Sequence, residues 1–337
     1  MGDAPARGSA PGAVGTVLQR RGGRELIEVG RRFGLVALLA VIIVVFSFVS
    51  PQFMTASNWS GLLVTQAVGS CVTFAALWPL IVGEFDLSLG YALGFVTMIG
   101  AWVAGHGEGT PVVLGVMIGA GLLIGLVNGV LTVGFGISSF IATLGVGFLL
   151  SGLTLGLSGG EVLFNGIPNF ILASGRDQFL GLQYSVWFAF AIAVILLYLF
   201  EYTPLGRYMY AIGGSERVSF LAGVRTRQLK IIAFMAAGFL IAVGAIFELG
   251  SGAGANPSTG PTFLLPAYAA AFLGVTTYRA GRYNIVGTVF AILVLAVGFD
   301  GLSLIGVPAW GEPVFDGAVL LVAVLLARAE ARQVQVG

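Results

Sequence analysis

"PLIVGEFDLSLGYALG", Pro79 to Gly94, sets two carboxylates, Glu84 and Asp86, inside an otherwise apolar run. An aspartate at the centre of a membrane helix costs about 2.5–3.5 kcal/mol on insertion scales, so the pair needs a reason. Pro79 removes a backbone donor, and Gly83 and Gly90 loosen the chain on either side of "GEFDLSLG". Asp86, followed by "LSLGYALGFV", suits an N-cap whose carboxylate accepts from the first amides of a new helix. The run from Trp59 to Ala104 therefore reads as one helix, a break, and a second helix starting at Asp86. Breaks at membrane depth are tolerated only where they face protein or a water-filled cavity, and they mark solute paths. Asp86 then has two readings, a structural cap or a group lining or gating such a path. Glu84, off any regular helix, reads as water-accessible.

The rest of the chain agrees with a membrane setting. Of 337 residues, 57% are apolar and 9% charged, against about 25% charged in a soluble domain. Mean hydropathy is +0.99. The apolar runs are long and unbroken, which fits helices rather than the short alternations of a barrel. The expected class is an all-α polytopic membrane protein. A net charge of +1 excludes nothing by itself, and the single cysteine, Cys71, permits no intrachain disulfide and reads as buried and inert.

Windows of about 20 apolar residues place ten transmembrane helices. They lie near Phe33–Val49, Trp59–Leu77, Asp86–Ala104, Pro111–Phe135 and Ser138–Leu157. Five more lie near Tyr184–Phe200, Ile231–Leu249, Phe263–Val275, Ile285–Ile305 and Val314–Ala327. The segments around Pro79 and Leu264–Val275 are short or interrupted, the mark of discontinuous helices. Six arginines precede the first span, which puts the N-terminus in the cytoplasm. Arg207, Arg217, Arg225, Arg227 and Lys230 follow the sixth span, Arg279 and Arg282 the eighth, and Arg328 and Arg332 the tenth. All fall on one side if the count is ten, with only Arg176 landing outside, and both termini are then cytoplasmic. Residues 1–32 read as a disordered cytoplasmic tail, 33–330 as the transmembrane domain and 331–337 as a second tail. A cleaved signal peptide is disfavoured, because no small-residue site follows Val49.

Glycines at spacing four, such as Gly115/Gly119, Gly121/Gly125/Gly129 and Gly152/Gly156, give helices smooth faces for close packing. The motifs argue against catalysis by this polypeptide alone. There is no phosphate-binding P-loop, the only lysine is Lys230, and His106 is the only histidine, so neither a metalloprotease pair nor a Ser-His-Asp set can form. No cofactor or metal is expected. "NWS" at Asn58 matches a glycosylation sequon and reads as a chance match. Transport, anchoring or signalling remain.

The loop "EYTPLGRYMYAIGGSERVSFLAGVRTRQLK", residues 201–230, is the second informative stretch. Ser215 can cap a short helix with Glu216 at its start, Gly223 ends it, and Val218, Phe220 and Leu221 form an apolar ridge. Rimmed by Arg217, Arg225 and Arg227, the ridge suits another protein's groove, or else an anionic lipid surface.

These residues carry a resemblance. "LIVGEFDLSLG" resembles the "GGIDLSVG" signature of permease subunits from bacterial ABC importers of the ribose/xylose/galactoside type. "SSFIATLG" from Ser138 resembles that family's "PSFIATLG", and "TPLGRYMYAIGGSERVSFLAGV" is similar to the loop that docks on the ATPase. "GANPSTG" from Gly254 and "IVGTVFAILVLAVGFDGLSLIGV" from Ile285 also have counterparts, so the match runs over roughly Phe33 to Ala327. The resemblance implies a pair of permease chains, identical or paralogous, an ABC ATP-binding subunit beneath them and an extracytoplasmic sugar-binding protein. It implies a multi-pass protein of the bacterial inner membrane that forms the path for a monosaccharide or related polar solute.

Carried over residue by residue, the resemblance puts the path at Glu84, Phe85, Asp86, Ser88, Asn128, Phe140, Thr143 and Asn256. ATPase coupling falls to Glu216, Arg217, Phe220, Leu221 and Gly223. Three departures stand out: Glu84-Phe85 for the usual Gly-Ile, Arg217-Val218 for Ala-Ala, and "GVTTYRAGRY" for "GGTSLAGGKG". "GLVNGVLTVG" and "AVGFDGLSLIG" share an Asn/Asp-Gly pair in the fourth and ninth spans, as two inverted five-span halves would require. Other classes stay open: a secondary transporter coupled to an ion through Asp86, Glu248 or Asp300, a plain membrane anchor, and related permeases for branched-chain amino acids or nucleosides.

Overall fold

A helix occupies each of the ten apolar stretches. The computed structural model describes residues 33–279 and 281–336, with side chains through Leu326. The expected tail at 1–32 and the side chains of 331–337 lie outside the described residues.

In chain order α1 is described over Phe33–Val49, followed by α2 (Ala56–Ile81), α3 (Leu89–Gly105) and α4 (Thr110–Gly129), which runs on through a π-turn at Val130–Gly134. Then come α5 (Ser139–Ser158), α6 (Asn169–Arg176), a two-residue hairpin of β1 (Gln178–Phe179) and β2 (Leu182–Gln183), and α7 (Tyr184–Tyr202). The loop expected at 201–230 folds as α8 (Pro204–Gly214) and α9 (Glu216–Leu221), and leads into α10 (Thr226–Gly252). The remaining helices are α11 (Thr259–Thr262), α12 (Leu264–Gly274), α13 (Ile285–Leu304) and α14 (Gly311–Val336). Among the described residues, six helices are long and apolar enough to cross a membrane. They are α2, α4 with its π-turn, α5, α7, α10 and α13. The fold is all-α and polytopic.

The core is built on α2, α3 and α10. Every α2 residue from Cys71 to Ile81 is buried. Glycines let α4 and α10 touch backbone to backbone: a Cβ on Gly125 would stand 2.3 Å from the Phe234 carbonyl, and one on Gly238 2.1 Å from that of Gly121. So Gly121, Gly125 and Gly129 pack inside the chain, whereas Gly115, Gly119, Gly152 and Gly156 meet nothing within 4 Å.

Two expectations are corrected here. At 26 residues α2 is about 39 Å long, more than the roughly 30 Å of a bilayer core, and Pro79 does not interrupt it. Glu84 and Asp86 stand, as expected, between two helices, although the first runs past Pro79 to Ile81. The next helix also starts at Leu89 rather than Asp86, because Asp86 spends its carboxylate on Ser88 two residues on, an Asx-type turn that precedes the helix. The second suspected interruption is present: α12 has 11 residues, about 16 Å, and only the four-residue α11 and irregular backbone precede it.

Candidate functional site

The turn between α2 and α3 begins with Gly83 at φ +82°, a conformation glycine adopts without steric cost. Its backbone is then held by side chains from distant helices. Phe85 N–H donates to Ser139 Oγ at 3.1 Å and Leu87 N–H to Thr143 Oγ1 at 2.9 Å. The Tyr268 hydroxyl of α12 accepts from Asp86 N–H at 3.0 Å and donates to the Asp86 carbonyl at 2.9 Å. The Asp86 carboxylate accepts from Ser88 N–H at 3.0 Å, Ser88 Oγ at 2.6 Å and Asn128 Nδ2 at 3.2 Å. Asn128 Nδ2 also donates to Ser88 Oγ at 2.8 Å, while its own Oδ1 has no partner. Asp86, Ser88, Asn128 and Thr143 are all buried, so four of the expected path residues meet in one packed polar knot. Phe85 remains 38% exposed, with its ring stacked on Tyr268, and Phe140 is 52% exposed on α5.

Glu84 faces the other way. Its carboxylate lies 2.7 Å from Lys230 Nζ, which also contacts Glu216 at 2.5 Å. Lys230 is buried near the start of α10, and Glu216 opens α9. One ammonium thus ties the α2–α3 turn to the short helix of the 201–230 loop. Ser215 caps that helix by accepting from Val218 N–H at 3.4 Å. Gly223, at φ +84°, follows its end. Val218, Phe220 and Leu221 are 64%, 66% and 77% exposed, and Arg217 is exposed beside them. The ridge contacts solvent or a partner, not this chain's core.

A second tie closes the same end of the molecule. Arg279 forms an ion pair with Glu201 at the end of α7. The Arg282 guanidinium sits 3.4 Å over the Tyr210 ring of α8, and Tyr210 Oη donates to the Tyr283 carbonyl at 2.7 Å. Burial pushes the Tyr210 phenol up, while Arg282 pulls it down. These arginines belong to the departing stretch "GVTTYRAGRY", whose Ala280 lies outside the described residues. Their departure therefore adds contacts between α7, α8 and the α12–α13 connection.

Asn256 is not brought into the knot. It follows α10 at the end opposite Lys230, exposed, with its Oδ1 accepting from Ser258 N–H at 3.0 Å. Asn58 lies at that far end too, its amide donating to Asp300 at 2.7 Å, so the sequon is engaged in packing. Sequence reasoning left out Tyr268, Ser139 and the bridging role of Lys230. A lone lysine among sixteen basic residues was the available signal for the last.

A long apolar bundle with buried polar joints and an exposed apolar ridge describes a membrane component. The comparisons agree. The family described as "Branched-chain amino acid transport system / permease component" matches residues 52–324. The chain is 32% identical over 301 residues to the ribose import permease protein RbsC of Escherichia coli K12, covering 87% of this chain and 92% of that one. It is 32% identical to RbsC of Bacillus subtilis, over 86% and 90% of the two chains. It is 29% identical to the L-arabinose ABC transporter permease protein AraH of Azospirillum brasilense, over 94% and 92%. No solved structure matches it. The chain is a multi-pass membrane permease component of a transport system. It belongs to the branched-chain amino acid transport system / permease component family.

Proposed function

We propose that this chain is the permease subunit of an ATP-driven importer that carries a monosaccharide across the bacterial inner membrane. The observation that carries this is the ridge of α9, apolar yet exposed, and held from behind by Lys230. In this reading an ABC ATP-binding subunit receives Phe220 and Leu221, with Glu216 anchoring the helix, Arg217 at its rim and Gly223 ending it. A second permease chain completes the path, and an extracytoplasmic binding protein delivers the solute. The arginine distribution supports ten spans with both termini cytoplasmic, and the Asn/Asp-Gly pair shared by the fourth and ninth spans supports two inverted halves. The relatives named for ribose and arabinose favour a sugar over a branched-chain amino acid.

Within the path we assign two roles. Asp86, Ser88, Asn128 and Thr143 fasten the inner turn, while Phe85 and Phe140, still exposed, border the solute's inner exit, and Asn256 lies toward its entrance. The test is co-purification with candidate ATPase and binding protein, followed by ATPase and D-ribose uptake assays. Uptake should stop when ATP is depleted with ion gradients intact. Uptake that continues would favour an ion-coupled transporter and overturn this assignment.

A further inference from the structure

Along the flank of the bundle formed by α1, α12, α13 and α14 runs a groove of about 740 Å3. Leu35, Leu38 and Ile42 of α1 and Val319, Val322 and Leu326 of α14 line it, and no charged side chain does. On α1 the lining extends from Gly34 to Phe46, about 18 Å of helix. The hydrocarbon core of a bilayer is about 30 Å thick, so the groove is little more than one leaflet long.

Its two ends differ. At one, the Phe46 ring lies on Gly301 and the Phe315 ring on Gly298, so close that a Cβ on either glycine would press on the ring. Aromatic side chains thus close that end. At the other end, on the side of α9, stand Thr276 and Thr277, the two polar side chains of the lining. Arg279 N–H donates to the Thr277 carbonyl at 2.8 Å, which places that arginine at the mouth. Among the described ion pairs Arg279 and Arg282 share one acid, Glu201, which leaves one positive charge in excess. Tyr278, next to Thr277, is 38% exposed and held at φ +63°, a conformation rare for a bulky side chain and found where surroundings enforce it.

The slot is apolar along its length, closed at one end, and polar with a surplus cation at the other. That is the outline of an amphiphile. A helix about 10 Å across and 18 Å long takes up roughly 1,400 Å3, about twice the groove, whereas a single hydrocarbon chain is far thinner.

We propose that the groove holds one acyl chain of a phospholipid from the leaflet on the α9 side, with its anionic headgroup at Arg279 and Arg282. The chain backs α12, since Leu273 is part of the lining. The inference needs only the membrane setting and stands whatever solute is carried.

The full chain is purified in mild detergent, and the phospholipid it retains is counted by native mass spectrometry. One molecule per chain should remain, with phosphatidylglycerol favoured about fivefold over phosphatidylethanolamine for one surplus charge. Arg279→Gln/Arg282→Gln should keep the lipid and lose the preference. Ala318→Trp fills the slot and should lose the lipid. Leu38→Trp should do the same from the groove's exposed lip, and serves if Ala318→Trp fails to accumulate. Gly115→Trp, on open surface, should retain the lipid. The proposal is overturned if the wild-type chain retains no phospholipid, if the groove variants retain as much as Gly115→Trp, or if the double arginine variant keeps the preference. Val322→Cys tests the rival occupant, because Val322 is exposed and the native Cys71 is buried. A disulfide between two copies in native membranes would put a second chain over the groove and overturn the proposal as well. Lipid retention is read without transport, so its failure leaves the importer reading standing.

Discussion

Lys230 and Glu84, 146 positions apart in sequence, form an ion pair of 2.7 Å in which the lysine side chain is 10% exposed and the glutamate 16%. For two charges this withdrawn from water, mutual attraction offsets lost hydration, and Lys230 has Glu216 as well. The pair joins the start of α10 to the α2–α3 turn, and Glu216 extends the joint to α9.

Removing one member should therefore cost more than removing both. Lys230→Met strands Glu84 and should destabilise the detergent-solubilised protein by about 3–5 kcal/mol. Lys230→Met with Glu84→Gln should recover a large part of that loss. Thermal unfolding of the two variants checks this, and purely additive losses would deny a direct interaction.

The Asp86 knot predicts an exchange. Asp86→Ala leaves the Ser88 and Asn128 donors buried and unmet, at about 1–3 kcal/mol each. Asp86→Asn keeps one acceptor oxygen and should be milder, while Asn128→Asp sets two carboxylates together and should be severe. The double variant Asp86→Asn/Asn128→Asp restores one acid facing one amide, so its membrane abundance should approach wild type. Abundance that stays as low as in Asn128→Asp would refute the pairing.

Glycine positions separate packing from open surface. Gly125→Ala and Gly238→Ala would set a Cβ at 2.3 Å and 2.1 Å from a facing backbone oxygen, so both should fail to accumulate. Gly115→Ala and Gly119→Ala meet nothing within 4 Å and should accumulate normally. Immunoblots of membrane fractions distinguish these outcomes.

On α9, Phe220→Ala should leave abundance unchanged and abolish both ATPase co-purification and uptake. Truncating one central aromatic commonly costs about 2–4 kcal/mol, a loss of roughly 30- to 1,000-fold in affinity. Gly223→Asp adds charge and a Cβ at φ +84° and should be at least as damaging. Normal uptake in Phe220→Ala would remove the docking role.

The helices were legible because a bilayer demands long apolar windows, and α9 because Ser215 and Gly223 punctuate it. The depth of the carboxylates was not. The apolar window Trp59–Leu77 understates α2, which continues to Ile81 and carries Glu84 beyond its end. Local reading of Pro79 and Gly83 found a disruption without finding which level it occupied. Lys230 was visible as an oddity, but its two acids come from segments that only the fold brings together. The groove was hidden for the same reason, since its walls come from α1, α12, α13 and α14. Asn256 carries a matching motif but stands apart from the Asp86 knot.

The short helix α12 serves two neighbours at once. Leu273 lines the groove, while Tyr268 grips the backbone of Asp86 from the same two turns. Glu84, two residues away, reaches α9 through Lys230. Thermodynamic reciprocity then sets a condition on the assembled machine: if lipid in the groove alters how tightly the ATPase holds α9, the ATPase must alter lipid affinity by the same factor. Measuring either affinity with and without the other ligand would give one number twice.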